Sequence, residues 1–337
     1  MAGAAAVLAA QEAPQNKTDV EAIEETIERA GNLNWTDNSN DGFHEPLLDM
    51  GSELIFWSLA PAPTFFTNVG SLCSGNGQFN APADVEVDPA TGDLLVVDQN
   101  NNRVERLNSK GEYLNQFGAK GSASGQFTSP RSVAVDSKGN IWVADSGNFR
   151  IQKFSSSGGF IKACGSKGTG PGQFSEKGPK AIAVGAEDSV WVTDYSNRVQ
   201  KFNYNCSYVT SIPSFSESAG IDIAAKTIWV TDSAADKVKV YSEAGTLVGQ
   251  FGTSGSGLGQ LNGADAVEVD SKDRVWVFET DNDRIQQFNT DGEYRAQFGS
   301  GSFAVGWPVG LASDGKGGLW AVDHSPHRLQ KWLVPRG

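Results

Sequence analysis

Methionine, histidine and cysteine are scarce in this chain of 337 residues, which holds two Met, three His and three Cys. With so few His and no Cys-x-x-Cys or Cys-x-x-His spacing, a zinc site of repeated ligands is hard to assemble. Cys73, Cys164 and Cys206 read as three unpaired small apolar residues, with one disulfide and a free thiol as the alternative. No apolar run approaches the ~20 residues that cross a bilayer, so no membrane insertion is expected. The Ala-rich opening, Met1 to Ala10, lacks the basic start of a signal peptide and reads as a trimmed leader or an artificial edge. Basic charge is short as well. The net charge is −13, and residues 1 to 60 hold 11 acids against Lys17 and Arg29, which argues against a phosphate-binding surface built on bulk charge. No nucleic-acid partner is therefore expected. Also missing are Gly-x-Ser-x-Gly, His-Glu-x-x-His, a P-loop, and a cysteine set beside a repeated His, so no familiar catalytic motif speaks for an enzyme.

What the chain has is turns and repetition. Thirty-nine Gly and 13 Pro beside 39% hydrophobic residues favour an all-β protein. The stretch Ile141 to Phe154, IWVADSGNFRIQKF, recurs in six copies, beginning near Leu94, Ile141, Val190, Ile228, Val275 and Leu319. A tryptophan marks five of them, as Trp142, Trp191, Trp229, Trp276 and Trp320, with Leu95 in its place in the first. Each copy is preceded by a GQFxxPxxVAVDxxGN-like run and followed by one like GEYLNQFG, Gly111 to Gly118. Period-two reading of the second copy gives four short strands: Val133 to Asp136, Ile141 to Asp145, Arg150 to Phe154 and Phe160 to Cys164. Four strands in a unit of about 45 residues predict one blade of a β-propeller, so six units predict a closed six-bladed ring. The sixth copy stops after its third strand at Trp332, while Pro63 to Phe79 aligns with Gly111 to Phe127. Residues 64–70 are thus expected to complete the last blade as an N-terminal latch. The ending Leu333 to Gly337 matches an engineered thrombin-cleavage linker and is set aside as a scar, with a natural continuation expected beyond Trp332.

These copies resemble the NHL repeat, over about 270 of the 337 residues. The fourth, where SESAGIDIAAKTIWV lacks GQF and Pro, and the third, whose turn is one residue short, depart from the pattern. The resemblance extends to the propellers of bacterial teneurin-like and Rhs-like surface proteins, although no YD repeat is present. It implies a binding propeller outside the cell. Some similar propellers are metal-dependent lyases or lactonases and others bind RNA, and those are the enzymatic runner-up and the third reading.

Residues 1–60 form an acidic extension. Thr18 to Ala30 is predicted to be an amphipathic helix, with Thr18 and Glu21 as a capping box and Gly31 as its stop. It reads as a strut on the propeller, or as a lid or docking helix. Glu53 to Pro61 is apolar enough to pack on the latch.

Repetition also sorts the candidate site residues. A residue kept in every copy serves the fold, which assigns Asp98, Asp145, Asp194, Asp232 and Asp323, with Arg103, Arg150, Arg198, Arg284 and Arg328, to pairing across the second turn of each blade. The breaks are where function can lie. Mid-way along the innermost strand, where other copies have Ala134, Ala183 and Ala312, stand Glu86, Asp222 and Glu268. Carboxylates there must meet water, a cation or a base, and Arg131 and Lys180, with Asp265 on the same ring, are the natural partners. Such a cluster allows a divalent cation, though no cofactor is implied by any spacing. Phe149, Tyr195, Asp281, Asp283, His324 and His327 fall on the second turn, with Trp307 on an incoming loop of the same face. Exposed aromatic and mixed-charge loops suit a protein or glycan partner. The expected function is a non-catalytic binding or scaffold domain of a larger secreted or surface protein.

Overall fold

The computed structural model describes residues 61–213, 215–303 and 310–335. The extension 1–60, its helix, and Trp307 lie outside the described residues. The described chain is all-β: six four-stranded antiparallel sheets, each a blade. The innermost strands are Pro82–Val87, Pro130–Val135, Pro179–Val184, Ser218–Ala224, Ala264–Val269 and Leu311–Ser313. In the second blade, Ile141–Asp145, Arg150–Phe154 and Phe160–Cys164 fall where the sequence puts them, and the innermost strand starts earlier, at Pro130.

A single blade has no core of its own. Its second strand is buried on both faces, as Ile141–Asp145 is throughout, because each face packs on a neighbouring blade. The apolar clusters accordingly sit at the seams: Trp142 and Ile151 of the second blade meet Phe174, Ile182 and Val192 of the third. Trp320 and Leu329 of the last blade meet Phe79 and Leu94 of the first. The last seam needs the latch. Thr64–Val69 pairs antiparallel with Arg328–Leu333, in the register Phe65 to Trp332 and Asn68 to Gln330, and the Phe65 ring meets Trp332 edge-on at 5.5 Å. The partner strand runs on through Leu333, and the Val334 amide donates to the Gly317 carbonyl at 2.7 Å.

The recurring acid, amide and arginine hold a turn. Asp145 is fully buried and accepts hydrogen bonds from the Thr128 amide, Asn148 Nδ2, Arg150 Nε and Gln152 Nε2, all within 3.0 Å. Arg150 donates onward to the Ala123 and Gln126 carbonyls, so the bracket ties the incoming loop to the blade. Asp98–Arg103, Asp194–Arg198 and Asp323–Arg328 repeat the pair. Blade five uses Glu279 with Arg284, and blade four pairs Asp232 with Lys239.

Blade one breaks this bracket at a buried position. Gln152, Gln200 and Gln286 donate their amides both to the acid of the pair and to the carbonyl of Gln126, Gln173 or Gln260. Glu105 stands there in blade one, fully buried, accepting from the Gly77 amide and 2.7 Å from Arg103. A carboxylate cannot donate, and burial pushes the Glu105 carboxyl up to about 7. A raised acid costs nothing below its unfolded value near pH 4.5, and the stability penalty grows as pH rises through 7. Glu105→Gln is therefore expected to stabilise the protein by about 2–3 kcal/mol at pH 8, with no gain near pH 4.5. Melting curves at the two pH values check this. An equal shift at both would contradict it.

The structure corrects the reading of the cysteines: Cys164 and Cys206 form a disulfide, and Cys73 is a free, exposed thiol. The reason lies in the seams. At four seams of the rim the end of a fourth strand packs on the third turn of the next blade, as Val69 on Gly111, Phe117 on Gly158, Ile212 on Gly245 and Phe251 on Gly292. Cys164 takes the apolar position and Cys206 the glycine position, with the same positive φ, 69°. The bond thus fastens blades two and three where every other described pair relies on contact. Closing a 42-residue separation constrains the unfolded chain by about 4 kcal/mol in the chain-entropy treatment.

Candidate functional site at the channel mouth

The innermost strands surround a cavity of about 230 Å³ on the ring axis. Each is the inner edge of its sheet, paired on one side only, so backbone N–H groups on its free edge need other acceptors. Side chains supply them. Asp84 accepts from the Val133 amide at 3.0 Å and from its neighbour Val85 at 2.9 Å. Glu86 accepts from Val135. Asp222 accepts from Val269 and Ile223, each at 2.7 Å, and Glu268 from Ser313 at 2.9 Å. Ser132 does the same for Ile182 at 3.1 Å. Glu86, Asp222 and Glu268 thus line the channel as placed from the sequence, and each reaches the innermost strand of the next blade.

Their expected partners do other work. Lys180 Nζ lies 2.8 Å from Glu217, and the Arg131 guanidinium stands 5.3 Å from the centre of the Tyr195 ring. Both residues line the same cavity, with Tyr195 beside both charged ends and Glu217 paired to Lys180. Without a cation beside them, the channel carboxyls are all displaced upward. Burial and the charges of Asp222 and Asp84 hold Glu86 well above the carboxylate range, and burial with Asp222 and Glu86 does so for Glu268. Burial raises Asp222 as well and lifts Asp84 to about 6.

Among the described residues no three His, Cys, Asp or Glu side chains converge as metal ligands. At least one oxygen of each channel carboxylate is turned to a backbone N–H group of an adjoining strand.

The mouth gathers residues from several blades. Tyr195, on the second turn of blade three, is half-buried and carries Lys177 Nζ at 5.1 Å and Lys180 Nζ at 4.9 Å besides Arg131. Asp265 accepts from Thr280 Oγ1 at 2.8 Å, and burial raises its carboxyl although Lys180 opposes the shift. The two histidines clasp the closing seam: His327 Nδ1 accepts from the Ala81 amide at 2.8 Å, and His324 Nδ1 lies 3.0 Å from the Pro82 carbonyl oxygen. Burial holds the His324 imidazole below its usual range. Phe149 sits apart from this group, half-buried at the seam of blades two and three, with Lys167 Nζ 5.2 Å from its ring.

Asp84 escaped the sequence reading. Its ring position otherwise holds Ser132, Ala181, Gly220, Ala266 and Gly310, and Gly310 leaves the space that the Asp84 carboxylate fills. One large residue in a ring of small ones is the signal that finds it.

Comparison with known proteins agrees with this architecture. Residues 127–154 match the NHL repeat. Protein brain tumor of Drosophila melanogaster is 30% identical over 99 residues, 27% of this chain, and the match spans only 10% of that protein's length. Virginiamycin B lyase from Staphylococcus aureus, solved with quinupristin, superposes with a TM-score of 0.58 at 14% identity, over 81% of this chain and 98% of its own. A gluconolactonase from Xanthomonas campestris gives 0.60 at 13% identity, over 82% and 98%. At such identities the structural likeness carries the fold alone.

Proposed function

We propose that this six-bladed NHL-type propeller is a non-catalytic binding domain that recognises a protein or glycan through the face bearing the channel mouth. One observation carries the reading: the side chains that break the repeat, Arg131, Lys180, Tyr195 and Asp265 among them, converge on one opening, while the repeated acids and arginines are consumed in turns. The channel carboxylates favour binding over acid–base work, because each is fixed by backbone N–H groups of an adjoining strand. The interblade disulfide supports a place in an oxidising compartment, at the cell surface or outside it, as the likeness to teneurin-like and Rhs-like propellers suggests. Nucleic acid is disfavoured by the acids Glu217 and Asp265 beside the mouth's cations.

A lyase or lactonase reading draws on the raised carboxyls of the cavity and on the folds of the two structural neighbours. The two readings separate in one comparison, in which the protein is assayed for lactone turnover with and without added divalent cations and screened against purified glycans and peptides. The expected result is saturable binding, with hydrogen-exchange protection at the mouth, and no turnover above the blank. Turnover abolished by Glu268→Gln would overturn the binding reading.

A further inference from the structure

The other buried or half-buried arginines of the turns and seams meet a carboxylate: Arg103, Arg106, Arg150, Arg198, Arg274, Arg284 and Arg328 all lie within 3.1 Å of one. Arg131 is an exception. It lines the central cavity, half-buried, with the Tyr195 ring as its contact and no carboxylate of the described residues within ion-pair distance. Lys177, likewise without a carboxylate partner there, stands over the same ring. Arg131 and Lys177, neither of them ion-paired among the described residues, mark one rim position for one anionic group, and the guanidinium beside the Tyr195 ring has N–H groups to offer a planar carboxylate.

The body of the guest must then suit the channel. Behind Arg131 the wall carries Asp84, Glu86, Asp222 and Glu268, whose lone pairs not taken by the backbone N–H groups can accept from a guest and whose clustering disfavours a second anion. Hydroxyl groups satisfy such a wall, and a phosphate chain does not. A cavity of about 230 Å³ lies just under the usual range for drug-sized ligands, which limits the occupant to about one sugar ring. We propose that the channel binds the terminal uronate residue of an acidic glycan, its carboxylate on Arg131 and Lys177 and its hydroxyls on the carboxyl groups of the wall. This rests on the binding reading above and narrows it to one ligand class.

The test is calorimetric titration of the full chain with a digalacturonate, with the neutral disaccharide of the same linkage, with an acidic peptide and with single-stranded RNA. The digalacturonate is expected to bind at least tenfold more tightly than the neutral sugar. Arg131→Gln should remove at least that factor while leaving the melting temperature in place, and Lys177→Gln should weaken binding to a smaller degree. Equal affinity for charged and neutral sugars, or unchanged affinity in Arg131→Gln, would overturn the proposal. Heat from the peptide alone, lost in Arg131→Gln, would overturn the uronate assignment and leave the binding reading standing. Silence from all four ligands, together with a failed glycan and peptide screen, would remove both.

Discussion

Deleting residues 62–70 is expected to abolish cooperative unfolding of the ring. The latch strand Thr64–Val69, continuous in the chain with the first blade, supplies the fourth strand of the last blade by hydrogen bonding to Arg328–Leu333. Without it the edge of Arg328–Leu333 is bare, Trp332 loses the Phe65 ring, and the seam that packs Phe79 and Leu94 against Trp320 and Leu329 has no strand holding it shut. Because the described core lies at seams, opening one seam exposes apolar surface on two blades at once, and the neighbouring seams lose the ring constraint. The deleted chain should melt over a broad range at a midpoint lower than that of any single substitution considered above, and should bind a hydrophobic dye at temperatures where the intact chain does not. A sharp, unshifted transition would mean that the ring closes by other contacts.

This latch was legible because it is an alignment: Pro63 to Phe79 repeats Gly111 to Phe127, and an orphan fourth strand before the first copy has one vacancy to fill. The blades were legible for the same reason, since Trp142 and its four counterparts mark one position on a buried strand. The channel carboxylates were placed correctly by the breaks in the ring. Their partners were not, because pairing was sought among side chains, whereas the groups that Glu268 and Asp222 meet are amides of Ser313 and Val269, present at every residue and silent in a sequence. The disulfide was missed through weighing each cysteine alone. Set in the repeat, Cys164 stands for Phe117 and Cys206 for Gly158, two positions that touch at the rim. Arg131 was singled out as a break in its ring, but the turn of blade three that brings Tyr195 to it is a tertiary fact.

Repeated residues hold this ring and unrepeated ones are left for recognition, a division that can be measured without knowing the ligand. Asp145 and Arg131 belong to the same blade and lie on its first two strands, one kept in almost every copy and one not. Asp145 is fully buried and satisfies four donors. Asp145→Ala leaves the half-buried Arg150 charge and the Thr128 amide without their acceptor, a loss of about 3–5 kcal/mol for a broken buried pair, or roughly 10 °C in a domain of this size. Arg131 gives up its cation–π contact with Tyr195, and a half-buried residue outside the turn brackets is worth about 0.5 kcal/mol. The decisive measurement is the melting temperature of Asp145→Ala and Arg131→Gln side by side with the parent chain. A steep fall for the first with no change for the second is the predicted result, and equal falls would contradict the assignment of Arg131 to binding.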